Sequence, residues 1–441
     1  MLSILRNRTY RHLFLAQIVA LTGTGLATVA LGLLAFDLAG ERAGLVLGTA
    51  LTIKMVAYVT VAPVAAAWAE QVNRRKMLIA LDLVRMAVAV CLPFVSEIWQ
   101  IYVLIFMLQS ASAGFTPAFQ ASIPDVLTEE KDYTRALSLS RMAFELESLA
   151  SPMLAAALLL LVSSGTLFWG TAAGFAASAL LLLSITLPSP QPRAPRPVWQ
   201  RTTRGLRNYL RTPRLRGLLA LNWVVSAMAA MVLVNTVVLV RAGMGQGESA
   251  VALALAAFGG GSMLAAMLLP HLLERVPDRT VMLAGGALGI AALAVLALAA
   301  FAAPLSFVRL AIAWMVIGLG YSAILTPSGR LLARSAHAQD RPAIFAAQFT
   351  LSHACWLLFY PLSAWLMAAW GAGAAMLALA LLAAAGLIAA QRLWPKDSAA
   401  PVAHSHQNLP PDHPHLQGGH PHAHPIIIDD LHPRMPRKED I

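Results

Sequence analysis

The chain has 441 residues, of which 58% are hydrophobic and only 12% charged, more apolar surface than a soluble fold can bury. The formal charge of +11 would suit a nucleic-acid binder, but the charges sit in connections between long apolar runs, which excludes that partner. The two cysteines, Cys91 and Cys355, lie in separate apolar runs and suggest neither a disulfide framework nor a zinc site.

In chain order, the first apolar run covers about 12–36 and follows a basic start at Arg6, Arg8 and Arg11. A cleavable signal has an apolar core of about 7 to 15 residues, whereas spanning takes about 20, so this run is read as a retained helix. Further runs follow at about 44–68, 77–95, 99–121, 136–162 and 166–187. Then comes a Pro-rich segment in which eight arginines fall between Arg193 and Arg216 with no acidic residue among them. The remaining runs are 215–240, 248–273, 280–302, 306–328, 343–367 and 372–394. Lipid offers no hydrogen bonds, so each run is expected to be a helix. The fold class expected is an all-α membrane protein of twelve transmembrane helices. An even count puts both termini on one side, and the basic connections make that side cytoplasmic.

Shifting the chain by a little over two hundred residues reveals an internal repeat. Arg8-Thr9-Tyr10-Arg11 matches Arg211-Thr212-Pro213-Arg214, and Ala113 to Pro117 matches Ala323 to Pro327. The acidic-basic turn from Glu70 to Lys76 has its counterpart from Glu274 to Arg279. The expected organisation is a six-helix half at 1–190, an Arg-rich linker at 191–214, a second half at 215–395 and a disordered His-rich tail at 396–441. A parallel repeat places a substrate path between the halves near the bilayer midplane.

The turn before the third helix reads AAAWAEQVNRRKML, which resembles the loop signature of the major facilitator superfamily, G-x-L-A-D-R-x-G-R-R-x-x-L. Glu70 stands for its Asp, Arg74 and Arg75 match its basic pair, and Leu78 its final Leu, while Ala66, Trp68 and Asn73 depart from it. The resemblance implies a conformational-switching role for Glu70, Arg74 and Arg75. The stretch from Gln109 to Pro152, with AGFTPAFQASIPDVL, YTRALSLSR and ESLASPMLAAALL, resembles bacterial nickel-resistance exporters of the NreB type, which also end in a histidine-rich tail. Siderophore and macrolide exporters are similar to it more broadly.

Eight of the twelve histidines lie in the tail, at His404, His406, His413, His415, His420, His422, His424 and His432. Neutral imidazole suits borderline divalent metals, and without an accompanying thiolate the set favours nickel, cobalt, zinc or copper(II) over copper(I). An idle low-complexity tail or a tag is the plainer alternative.

Ionisable side chains inside a membrane are costly and tend to face a cavity or a partner. Lys54, Glu145, Glu147 and His353 fall midway along their runs and are the candidates for substrate binding or proton coupling. Glu145 and Glu147 are two apart, so they point in different directions. A lysine-glutamate pairing would keep the empty site neutral, and a hydrogen-bonded structural histidine is the alternative for His353. Asp82 and Arg85 are three apart on one helix face and read as mutually neutralising, with Arg141 nearby in depth. Gln109, Asn222 and Asn235 read as helix-helix contacts or path-lining groups.

No Walker-type stretch is present, and glycine clusters such as Gly259 to Gly261 read as helix packing. No constellation of nucleophile, base and oxyanion donors points to an enzyme. The expectation is a monomeric, proton-coupled exporter of a divalent metal, nickel before cobalt, in a bacterial inner membrane, with no cofactor. The alternatives are export of a drug or siderophore and, in another class, a membrane-anchored metal sensor that does not transport.

Overall fold

The computed structural model describes residues 2–39, 43–69, 72–159, 161–188 and 198–396, with tail segments 402–404, 422–424, 426–429 and 431–432. Six helices form the first half: α1 (Arg8–Ala39), α2 (Ala43–Ala69), α3 (Arg74–Cys91), α4 (Ile98–Val126), α5 (Glu130–Leu159) and α6 (Ser164–Leu183). A linker helix, α7 (Val198–Arg211), leads to the second half. That half comprises α8 (Pro213–Val237), α9 (Glu248–Leu272), α10 (Asp278–Ala302), α11 (Phe307–Arg334) and α12 (Arg341–Leu393).

Among the described residues, ten helices are long and apolar enough to cross a membrane. α12, at 53 residues, is two spans joined at Gly371, whose φ of 74° breaks the helix where the apolar run was interrupted. With α5 between α4 and α6, the arrangement is six spans and six. The expected helices are therefore the observed ones, because each apolar run satisfies its own backbone.

Large apolar side chains such as Leu180, Val295, Val308 and Leu381 point outward, as lipid-facing positions do. Exposed tryptophans sit at helix ends, at Trp68, Trp99, Trp169 and Trp370, where indole favours the membrane interface. Within the halves small residues let backbones approach. A Cβ on Gly174 of α6 would lie 2.7 Å from the Val19 carbonyl of α1, and one on Gly261 of α9 would collide with the Met315 carbonyl of α11.

Alternation along the chain brings α7, the connections α2–α3, α4–α5, α9–α10 and α11–α12, and both chain ends to one end of the bundle, called the linker side here. The linker, read from its sequence as a Pro-rich, Arg-rich connection, contains an amphipathic helix. α7 buries Arg204, Asn208 and Tyr209. Arg204 pairs with Asp340 at 3.2 Å, and the Tyr209 hydroxyl donates to Gln348 on α12. Burial pushes the Tyr209 phenol well above its usual range, so it stays a donor.

Candidate functional site

At mid-helix depth one cluster joins the two halves. Tyr58 of α2 donates its hydroxyl to Gln109 of α4 at 2.9 Å. Its ring meets two residues of α12, Phe349 at 4.8 Å and His353 edge-on at 4.7 Å between centroids. The Lys54 ammonium lies 5.6 Å from the centre of the same ring, a cation-π distance. His353 Nδ1 is 2.7 Å from the Phe349 carbonyl, one turn back on its own helix, which makes that nitrogen the donor and leaves Nε2 as the acceptor. Lys54 and His353, 299 positions apart, thus converge on one aromatic ring.

A second site closes the linker side. Arg74 at the start of α3 and Arg341 at the start of α12 both bond Asp125 near the end of α4. In the other half, Arg330 and Arg334 at the end of α11 hold Asp278 at the start of α10, and both also reach Glu130 at the start of α5. Arg334 Nε donates to Glu130 at 2.8 Å. The two constellations occupy equivalent helix ends, with every charge reversed. Lys131 adds a cross-half pair to Glu274 at 3.2 Å. Its hydrogen bond, aided by Arg135, holds the Glu274 carboxyl below its usual range.

The tail returns to this same end. His404 pairs with His422 across a short antiparallel ladder of β1 (Val402–His404) and β2 (His422–His424). Ile426 and Ile428 are buried. The Asp429 carboxylate lies 3.3 Å both from His337 Nε2, in the α11–α12 connection, and from His432 Nδ1. Burial raises the Asp429 pKa, but the bonds from His337 and His432 outweigh it and hold the carboxyl well below its usual range. Among the described residues no group of three or more His, Cys, Asp or Glu is arranged to hold a metal ion.

A family model of the Major Facilitator Superfamily matches residues 13–308 and again 224–425. The chain belongs to the major facilitator superfamily. It is a membrane transporter of that type, not an enzyme. Solved structures with the same fold include the human organic anion transporter MFSD10 (TETRAN), 12% identical with a TM-score of 0.75 over 87% of this chain and 99% of that one. A bacterial homologue of the iron transporter ferroportin, in an outward-facing state, is 13% identical with a TM-score of 0.72 over 87% and 98%. The E. coli fucose:proton symporter is 15% identical with a TM-score of 0.68 over 88% and 98%. No curated protein matches the chain.

In this facilitator, the residues singled out from sequence separate into groups. Lys54 and His353 come together with Gln109, while Glu147 sits half-buried on α5. The Glu145 and Arg141 side chains, Glu70, His406, His413, His415 and His420 lie outside the described residues, and His404, His422 and His424 are described by their backbone alone. Arg74 enters the linker-side closure. Arg75 turns to its own half, its Nε donating to the Leu182 carbonyl at 3.0 Å at the end of α6.

Asp82 and Arg85 form the expected buried pair. Ser178 donates to Asp82 at 2.7 Å, and the Arg85 guanidinium lies 4.0 Å from the Phe115 ring centre and 4.6 Å from that of Phe175. Asn235 donates to the Ser363 hydroxyl at 2.7 Å, a bond between α8 and α12. Sequence reading missed Tyr58 and Phe349, whose one signal was an aromatic four residues from an intramembrane Lys or His. It also missed Asp125, Glu130 and Arg341 as closure residues, since ion pairing across two hundred positions leaves no local mark.

Proposed function

We propose that this transporter exports a divalent metal ion, nickel first and cobalt second, from the cytoplasm in exchange for protons. The observation that carries the reading is the tail, which sets eight imidazoles between His404 and His432 on a facilitator fold. The resemblance to NreB-type exporters supports it. So does the return of the tail to the linker side, where a metal-gathering segment would stand at the cytoplasmic mouth. In this reading the chain is a monomer in a bacterial inner membrane, with linker and both termini cytoplasmic. The halves, 1–190 and 215–395, rock about the central cluster. Lys54, Glu145, Glu147 and His353 handle substrate or proton, and Glu70, Arg74 and Arg75 belong to the switching end.

A specific observation favours a second reading, proton-driven export of a drug or siderophore. An ammonium beside a single imidazole repels a bare dication, whereas Tyr58 and Phe349 offer aromatic faces suited to an organic molecule. Everted vesicles with an imposed proton gradient test both. Accumulation of labelled nickel, reduced by deleting 404–432 or by His353→Gln, supports metal export. Uptake of an organic siderophore without nickel would transfer the assignment to the second reading, and absence of any flux would leave a sensor.

A further inference from the structure

Beside the linker-side closure, in the second half alone, lies a cavity of about 290 Å³ between the ends of α8, α9, α10, α11 and α12. Six cationic side chains line it against two carboxylates. Both carboxylates are already engaged. Asp278 takes Arg330 and Arg334, and Glu274 takes Lys131 and Arg135 of the other half. Arg214, Arg275, Arg279 and Lys396 remain, and no carboxylate among the described residues forms an ion pair with them.

Arg214 is the informative one. It is only 6% exposed, yet it spends its charge on the Arg334 carbonyl, to which Nη2 donates at 3.1 Å. Its Nε is buried and donates to none of the described residues. A buried guanidinium that lacks an anion, with a free donor, is costly unless something arrives to pair with it. Arg279 is held in place by backbone carbonyls, its Nε donating to Trp394 at 2.8 Å and its Nη2 to Gln391 at 3.2 Å. Arg275 and Lys396 stand exposed at the rim.

We propose that this cavity binds a phosphate-bearing anion, Arg214 forming its floor and Arg275, Arg279 and Lys396 its rim. Guanidinium groups match phosphate oxygens in geometry, and basic pockets at the end of a membrane bundle suit anionic headgroups. The volume holds one phosphate and part of a headgroup. The cavity lies where α8 and α10 begin and α9, α11 and α12 end, the level at which spans leave the hydrocarbon and meet headgroups. Two sources share this chemistry, an anionic phospholipid of the adjoining leaflet and free phosphate.

The test uses the full chain, purified in mild detergent and stripped of lipid. Native mass spectrometry titrates phosphatidylglycerol against phosphatidylcholine, and a thermal-shift series titrates inorganic phosphate. Wild type is expected to prefer phosphatidylglycerol. Each cation removed should weaken its binding by about fivefold, so the rim variant Arg275→Gln/Lys396→Gln loses about 25-fold and Arg214→Gln at least fivefold. Because the rim residues are exposed, that double variant stays informative even if Arg214→Gln fails to fold. Stabilisation by phosphate that also displaces the lipid, and that the rim variant lacks, assigns the cavity to free phosphate. Lipid preference without a phosphate response assigns it to the headgroup. Equal phosphatidylglycerol binding by wild type and rim variant, with no phosphate response that the variant loses, overturns the proposal.

Discussion

Tyr58 converts two isolated mid-membrane groups into one site, since its ring faces Lys54 and His353 while its hydroxyl is spent on Gln109. Tyr58→Phe keeps the ring and removes one hydrogen bond of about 1 kcal/mol. Proteoliposome flux is expected to fall about fivefold with folding intact, whereas Tyr58→Ala should lose the site. Unchanged flux in Tyr58→Ala would remove the cluster from the path.

Glu274 carries the pH prediction. Its carboxyl is depressed by Lys131, so its link across the halves is fully present above the ordinary carboxyl pKa and is lost only as pH falls through the lower folded value. Cross-half proximity, read by spin-label distances between the α5 and α9 ends, should therefore hold from pH 8 down past pH 4.5, the ordinary value for Glu. Glu274→Gln mimics the protonated form and should widen that distance at every pH. Lys54 and His353 were legible in the sequence because intramembrane charge is rare; Tyr58 was not, because an aromatic in an apolar run has no distinguishing mark.

Among the elements, α7 and the break in α12 show opposite degrees of legibility. The break at Gly371 follows from one residue, since φ of 74° with extended ψ is open to glycine and costs other residues about 1–3 kcal/mol. Nothing lies within 4 Å of a Cβ there, so Gly371→Ala tests the backbone alone and should lower the melting temperature. α7 was hidden by its arginines, which read as a topology signal. Its buried positions Arg204, Asn208 and Tyr209 follow helical spacing, but Arg204 and Tyr209 show their role only when Asp340, at the cap of α12, and Gln348, on α12, are brought to them. Arg204→Gln removes the ion pair with the buried Asp340 carboxylate, at a cost of about 1–3 kcal/mol. Hydrogen exchange should quicken across α7 and the first turn of α12, with the rest of the bundle unchanged.

At the scale of the whole molecule, the linker side is held shut by two constellations that mirror each other with inverted charge. Asp125 takes cations from α3 and from the opposite half, and Arg330 with Arg334 takes anions from α10 and from the opposite half. Inversion makes the two sets different in sequence while equivalent in space. Asp125→Asn removes the shared acceptor and leaves Arg74 and Arg341 facing each other, so the linker side should open, with the closed population falling about tenfold or more. Glu130→Gln should do the same from the other half. Distances between labels on α4 and α12 check both, and closed distances in the double variant would show that apolar packing, such as Leu137 against Gly329, holds the halves.

Composition, span count and the duplicated six-helix plan were settled by the amino-acid order, because a lipid-embedded backbone must form its hydrogen bonds locally and each apolar run therefore declares itself. Which charges meet was decided in three dimensions. Asp125 and Arg341 are 216 positions apart and Glu130 and Arg334 are 204 apart, and no local pattern names a partner at that range. Only the packing of one half on the other brings those helix ends within reach of a hydrogen bond.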